Sequence, residues 1–243
     1  MLHRGVGTRF SALVFLFVAW IISPTSLGEV DAAPLSMSAT SDQIVQRMLD
    51  SNEKRARNLQ HYTEDRHYQV EFRGFPAIAA SIDVQVTYDA PASKNFRVLS
   101  QTGSTLLVDL VLKKLLESEK EAAKNPDQIA LTPENYVFAL VGTEDSADQK
   151  LFIFHVEPRV NRKFLYRGTI WVDAKDYAVA KIEAEPARNP SFWIKRTQIH
   201  HVYSKTGDFW LPERNRSETV VRLGGTAILT INYGSYQIRA ARS

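Results

Sequence analysis

A succession of long strands, with little helix between them, constrains this chain most. From Tyr62 the apolar and polar residues alternate with a period of two. Tyr62, Glu64, Arg66, Tyr68, Val70 and Phe72 fall on one side of a strand. Thr63, Asp65, His67, Gln69, Glu71 and Arg73 fall on the other. Strand side chains point alternately to opposite faces, so such a pattern describes one strand with two different environments. Gly74-Phe75-Pro76 turns the chain, and Ile82, Val84, Val86 and Tyr88 mark the next strand. Asn95 to Gln101 makes a third, with Phe96, Val98 and Ser100 opposite Arg97, Leu99 and Gln101. Three strands joined by short turns predict an antiparallel meander.

The second half continues in the same way. Strands are expected over residues 136–141, 151–156, 164–173, 177–185, 192–203, 209–221 and 227–238. Glu157-Pro158, Ala174-Lys175-Asp176, Thr206-Gly207-Asp208 and Gly224-Gly225 supply the turns between them. No strand–helix alternation is present, so a parallel α/β sheet is excluded. The expectation is a mainly β (α+β) fold. It is one large curved antiparallel sheet or half-open β-barrel of about ten to eleven strands.

Only two helices interrupt the strands. Thr40 and Gln43 have capping-box spacing, and Ile44, Val45, Met48 and Leu49 follow as an apolar stripe. Lys54, Arg55 and Arg57 suit the negative pole of a helix that stops near Asn58. The second helix starts at Ser104 or Thr105. Leu106, Leu107, Leu110, Val111, Leu112, Leu115 and Leu116 give it a broader stripe than one packed face requires. Glu117 to Lys124 is expected to be its solvated, mixed-charge end.

The start of the chain is an address. Arg4 and Arg9 precede the apolar run Ala12 to Ile22, which Ser23-Pro24 breaks. That run is shorter than the roughly 20 residues a bilayer span needs. It fits a secretory signal peptide over 1–32, cut after Ala32 as first choice and after Gly28 as second, with a retained N-terminal anchor as the alternative and a single domain over 33–243. Cysteine is absent, which removes disulfides, thiolate chemistry and a thiol for lipid attachment. An exported chain without cysteine points to a periplasm. A net charge of +3 without a basic run argues against nucleic acid as a partner.

Catalytic patterns are missing. None of the six His pairs with another at the i, i+2 or i, i+4 spacing that aims two ligands at one metal. No nucleophile elbow, phosphate loop or dinucleotide fingerprint is present. Asp173 with Asp176 fits a turn, and Glu183 with Glu185 fits a solvated strand face. No cofactor, no metal site and no catalytic residue are assigned. Basic residues gather near the hairpin turns, at Arg159, Arg162, Lys163 and Arg167, at Arg188, Lys195 and Arg196, and at Arg214 and Arg216. Edge-strand protection accounts for them best, with an anionic headgroup surface as the alternative. Several strands are apolar on both faces, as Leu151 to Val156 and Phe164 to Val172 illustrate. Such strands are covered on both sides or line a cavity on one, and sequence leaves the two equal.

The order of elements, together with Arg167 to Glu185 (RGTIWVDAKDYAVAKIEAE), Leu151 to Arg159 and Asn189 to Arg196, resembles the outer-membrane lipoprotein-sorting superfamily, the LolA/LolB-like fold. The resemblance implies an unclosed antiparallel barrel with helices as a lid over an apolar cavity. It implies acyl chains of lipid or lipoprotein as ligand, and an inner- or outer-membrane protein as partner. It also implies a lid-locking Arg, for which Arg66 and Arg73 are the candidates. The expected protein is a soluble periplasmic carrier or sensor without enzyme activity. By alternation, the lumen set is Tyr68, Phe72, Val84, Val86, Phe96, Val98, Phe138, Phe152 and Phe154, with Leu107, Leu110 and Val111 on the lid. Two other readings stay open: an envelope protein–protein interaction module without a lumen, and a hydrolase whose residues are scattered in sequence.

Overall fold

The fold is taken from a computed structural model, which describes residues 40–90, 93–123, 129–145, 149–162, 164–189, 191–222 and 224–240. The expected leader and its expected cut site at Ala32 lie outside the described residues. Helix α1 (Ser41–Asn58) begins with the capping box. Thr40 Oγ1 accepts from the Gln43 amide at 3.4 Å, and Gln43 Oε1 accepts from the Thr40 amide at 3.0 Å. Two donors that would otherwise be orphaned at the helix start are thereby satisfied. At the other end Arg55 donates to the carbonyls of Asp176 and Tyr177.

The strands are β1 (Leu59–Arg73), β2 (Ile78–Asp89), β3 (Ser93–Gly103), β4 (Tyr136–Asp145), β5 (Lys150–Pro158), β6 (Tyr166–Asp173), β7 (Val179–Pro186), β8 (Ile194–Thr206), β9 (Phe209–Val221), β10 (Thr226–Tyr233) and β11 (Gln237–Ala240). They form one antiparallel sheet of 11 strands in the order β3-β2-β1-β10-β9-β8-β7-β6-β5-β4, with β11 also on β1. The first meander therefore joins the last hairpins through β1 and β10. β3 and β4 are left as the two edges of a sheet that does not close.

A second helical segment leads from β3 back across the sheet. It comprises α2 (Thr105–Leu107), a π-helical stretch (Val108–Leu112) and α3 (Lys113–Ala123). Gly103 makes the corner before it, with φ at 84°. A Cβ there would lie 2.3 Å from the Ala79 carbonyl, so only glycine fits the close approach.

Local chemistry moves several sequence-read boundaries. β4 runs on through Gly142, because a bulge between Leu140 and Gly142 absorbs one residue. A register shift at Asp83/Val84 pairs Val84 with Val98 and Asp83 with Ser100. Ser100 thus leaves the face of Phe96 and Val98, and its hydroxyl donates to Asp83 Oδ2 at 2.5 Å. Phe192 and Trp193 belong to a turn and not to β8. Ser191 holds it by accepting from the amides of Trp193 and Ile194. The final strand breaks at residues 234–236, where the Gly234 amide donates to the Asp65 carbonyl at 2.8 Å.

Candidate functional site

Both helices lie on one face of the sheet. The register defines that face directly. One row crosses it as Ala80, Val70, Leu229, Ser217, Ile199, Ala184, Gly168, Val156 and Phe138. The next row is Ile82, Tyr68, Ile231, Asn215, His201, Ile182, Ile170, Phe154 and Leu140. Each row is apolar at its two ends, and polar residues enter in the middle, at Ser217 of β9 in the first row and at Asn215 of β9 and His201 of β8 in the second.

The core divides accordingly. Leu107, Val108, Leu112, Leu115 and Leu116 of the second helical segment pack on Tyr68, Val70, Ile82, Val84, Val86, Leu229 and Ile231. Ile44, Val45, Met48 and Leu49 of α1 pack on Tyr136, Phe154, Val156, Tyr166, Ile170 and Ile182. Between them Thr197, His201 and Asn215 are buried, forming a polar seam.

The residues singled out by alternation divide in the same way. Tyr68, Val84, Val86 and Leu107 are buried in the first cluster, with Phe96 and Val111 packed at its margin. Phe154 is in the second cluster, with Phe138 and Phe152 at its margin. Phe72 packs its ring against Gly74 and Gly225 at a hairpin end. Leu110 is half-buried, and Val98 on the edge strand is 46% exposed.

A buried ionic network ties the second helical segment to the sheet. Glu119 of α3 and Arg66 and Glu64 of β1 are each at most 2% exposed. Arg66 Nη1 donates to Glu119 Oε2 at 2.8 Å, and Arg66 Nε donates to Glu64 Oε1 at 2.9 Å. Tyr68 donates its hydroxyl to Glu119 Oε1 at 2.6 Å, and Lys94 of β3 donates to Glu119 Oε2 at 3.3 Å. The Arg66 guanidinium also lies 4.5 Å from the centre of the Tyr233 ring. That placement adds a cation–π contact on its second side.

Formal charge within this group sums to zero, since Arg66 and Lys94 face Glu64 and Glu119. The balance matters because an unpaired buried charge costs several kcal/mol, on the order of 3–5 when one partner is removed. Burial alone would lower the Arg66 pKa, but Tyr68, Glu119 and Glu64 raise it well above the usual value. Lys94 is pushed down to about 8, by burial first and by Arg66 second. His201 is pushed down to about 3 by burial and by Arg66, so it is neutral at physiological pH. Its ring stacks on Tyr203 at 4.4 Å.

Glu119 corrects the sequence reading, which assigned residues 117–124 to a solvated end. Its spacing was the available signal. Val108, Leu112, Leu115, Glu119 and Ala122 recur at three- and four-residue intervals, and all are buried. Arg66 and Glu64 carried a similar signal, since both sit on the apolar side of the β1 alternation.

The opposite face carries His61 and His67. His61 Nδ1 is 2.7 Å from Asp89 Oδ1, and His67 Nδ1 is 2.7 Å from Asp83 Oδ1. His67, Asp83, Ser100, Asp65 and Asn232 line an open groove of about 500 Å³. Ser100 donates to one oxygen of Asp83, and His67 meets the other oxygen of the same carboxylate. Among the described residues no group of three His, Asp or Glu side chains is placed to hold a metal. No described helix is long and apolar enough to cross a membrane.

No family model matches the chain, and no curated protein matches it. Solved structures do. A DUF1329 family protein from Desulfovibrio piger is similar with a TM-score of 0.45 at 12% identity, over 84% of this chain and 95% of that one. A LolA superfamily protein from Nitrosomonas europaea is similar with a TM-score of 0.38 at 12% identity, over 84% and 96%. An outer membrane lipoprotein-sorting protein domain from Vibrio parahaemolyticus is similar with a TM-score of 0.39 at 12% identity, over 84% and 95%.

Proposed function

We propose that this protein binds acyl chains of lipid or lipoprotein between its helices and its sheet, as a carrier or sensor in a bacterial envelope. One observation carries the reading. An unclosed sheet presents a long apolar face, and two separate helical segments cover its two halves. The cover over β1 and β2 is anchored by a side-chain network centred on Glu119.

Magnitudes support an exchange. Burial of one large aliphatic side chain contributes about 1.5–3 kcal/mol. Lifting Leu107, Val108, Leu112, Leu115 and Leu116 off the sheet therefore costs on the order of 10 kcal/mol. A buried methylene contributes about 0.8 kcal/mol, so one long acyl chain recovers a similar amount. In this reading the chain lies against Tyr68, Val84, Val86 and Phe96, and Leu110 and Val111 close over it. Phe138, Phe152 and Phe154 accept a second chain beside α1. Arg66 is the lock, since its bond to Glu119 must break when the cover lifts. The function is binding without catalysis, performed after export and removal of residues 1–32.

A rival reading takes its support from the same face. Tyr68, Val84, Leu112 and Leu115 are fully buried, as in a permanent core. A module with such a core would act by presenting its outer surface to another envelope protein. Titration with a fluorescent fatty acid separates the two. Saturable binding that Leu110→Asp weakens at least tenfold, in a protein that remains folded, supports the carrier. No binding by the unaltered protein supports the module.

A further inference from the structure

We propose that one end of the sheet, where β1 turns into β2, β7 into β8 and β9 into β10, docks on the surface of an anionic phospholipid bilayer through Phe75 and Phe192. Strand order places these three turns side by side. Their contact is explicit at two points. The Phe72 ring packs on both Gly74 of the first turn and Gly225 of the third. The Arg222 amide of the third turn donates to the Trp193 carbonyl of the second at 2.8 Å.

Phe75 and Phe192 are 102% and 77% exposed, and no other aromatic is exposed among the described residues. Both sit at this end. Trp193 stands edge-on to Phe192 at 5.6 Å, and the Arg222 guanidinium lies 5.3 Å from the Phe192 ring centre. The ring is therefore held at the tip and not folded back onto the sheet. Aromatic rings beside Arg side chains match a bilayer interface, where the ring enters the acyl boundary and the cation meets the headgroup.

Charge selects an anionic surface. Arg73, Arg159, Arg162, Arg188, Lys195, Arg196 and Arg222 are all exposed at this end. Arg188, Lys195, Arg196 and Arg222 have no carboxylate partner among the described residues. Turns at the far end carry Asp89, Asp145, Asp173, Asp176 and Asp208 together with Lys150, Lys175 and Lys205, and Lys150 pairs with Asp145 and Lys205 with Asp176. The strands thus run from an end of mixed, partly paired charge to a basic, aromatic-tipped end, and a negative surface would orient the molecule with the latter facing it.

Flotation of the purified protein with vesicles tests the proposal. Vesicles of phosphatidylethanolamine with about 30% phosphatidylglycerol should carry the protein upward, and 0.5 M salt should release it. Pure phosphatidylcholine vesicles should not carry it. Phe75→Ser with Phe192→Ser should lower the bound fraction roughly tenfold, and Arg188→Glu with Arg222→Glu should do the same. Circular dichroism and fatty-acid binding should be unchanged in both pairs, which separates this proposal from the acyl-chain reading. Salt-independent binding to both vesicle types, or equal flotation of the serine variant, overturns it. Absence of flotation with any vesicle also overturns it and assigns the tips to a protein partner.

Discussion

Glu119 on α3 accepts a hydrogen bond from Arg66 on β1 at 2.8 Å, across 53 residues of chain, with both side chains out of solvent. This bond joins the second helical segment to β1, the third strand in from the β3 edge. Its energetics follow from burial. Removing one member leaves the other charged in a dry place, so Arg66→Ala should destabilise by about 3–5 kcal/mol. A cycle of Arg66→Met, Glu119→Leu and the double variant, read by urea unfolding, should give a coupling of about 1–3 kcal/mol. Additive losses would show that the pair acts only as two separate packed groups.

The same bond should limit ligand exchange. Glu119→Gln keeps the shape but weakens the charge-assisted bonds from Arg66 and Lys94. Stopped-flow uptake of a fluorescent fatty acid should then be several-fold faster, with the sheet intact by circular dichroism. An unchanged uptake rate would remove Arg66 as the lock.

Acid should destabilise the fold through His201. Its pKa is about 3 in the folded protein against an ordinary 6.5, so between those values the unfolded chain binds the extra proton. Stability from this group is full above pH 6.5 and falls as pH drops toward 3, at up to about 1.4 kcal/mol per unit. Urea unfolding from pH 7.5 to 4.5 should show that slope. His201→Gln should flatten it, since Arg66, Tyr203, Tyr233 and Asn215 around the ring do not titrate in that range. An unaltered slope in the variant would place the acid sensitivity elsewhere.

Gly103 and Gly142 offer a matched pair. Alanine at Gly103 needs a φ of 84° and meets the Ala79 carbonyl at 2.3 Å. It should cost about 1–3 kcal/mol. Alanine at Gly142 meets nothing within 4 Å and should change stability by less than about 0.5 kcal/mol. Thermal unfolding of the two variants checks the corner that starts the helical cover.

The strands and the first helix were legible because period and capping are local. Thr40 with Gln43 set the start of α1, and the β1 alternation gave the buried face from Tyr62 to Val70. The errors arise where one residue shifts register. Leu99 and Val141 are each the extra residue of a bulge, and alternation carries no sign of it. The site was legible only in halves. Arg66 and Glu64 stood on the correct face of β1, but their partner lay on a helix 53 residues away. Its charge made Glu119 resemble solvent-facing neighbours such as Glu117 and Glu121. Only its helical spacing from Leu112 and Leu115 marked it as internal. Phe192 was legible as an aromatic and not as a tip, because exposure depends on the Ser191 turn that removes it from β8.

Mass spectrometry of organic extracts from the purified protein tests the acyl-chain reading most directly. Acyl species should be recovered near one molecule per protein or more. After delipidation, reloading with a diacyl lipid should restore them in the unaltered protein and not in Leu110→Asp. Extracts without acyl species, with no uptake on reloading, would contradict the account and leave the helices as permanent parts of a closed core.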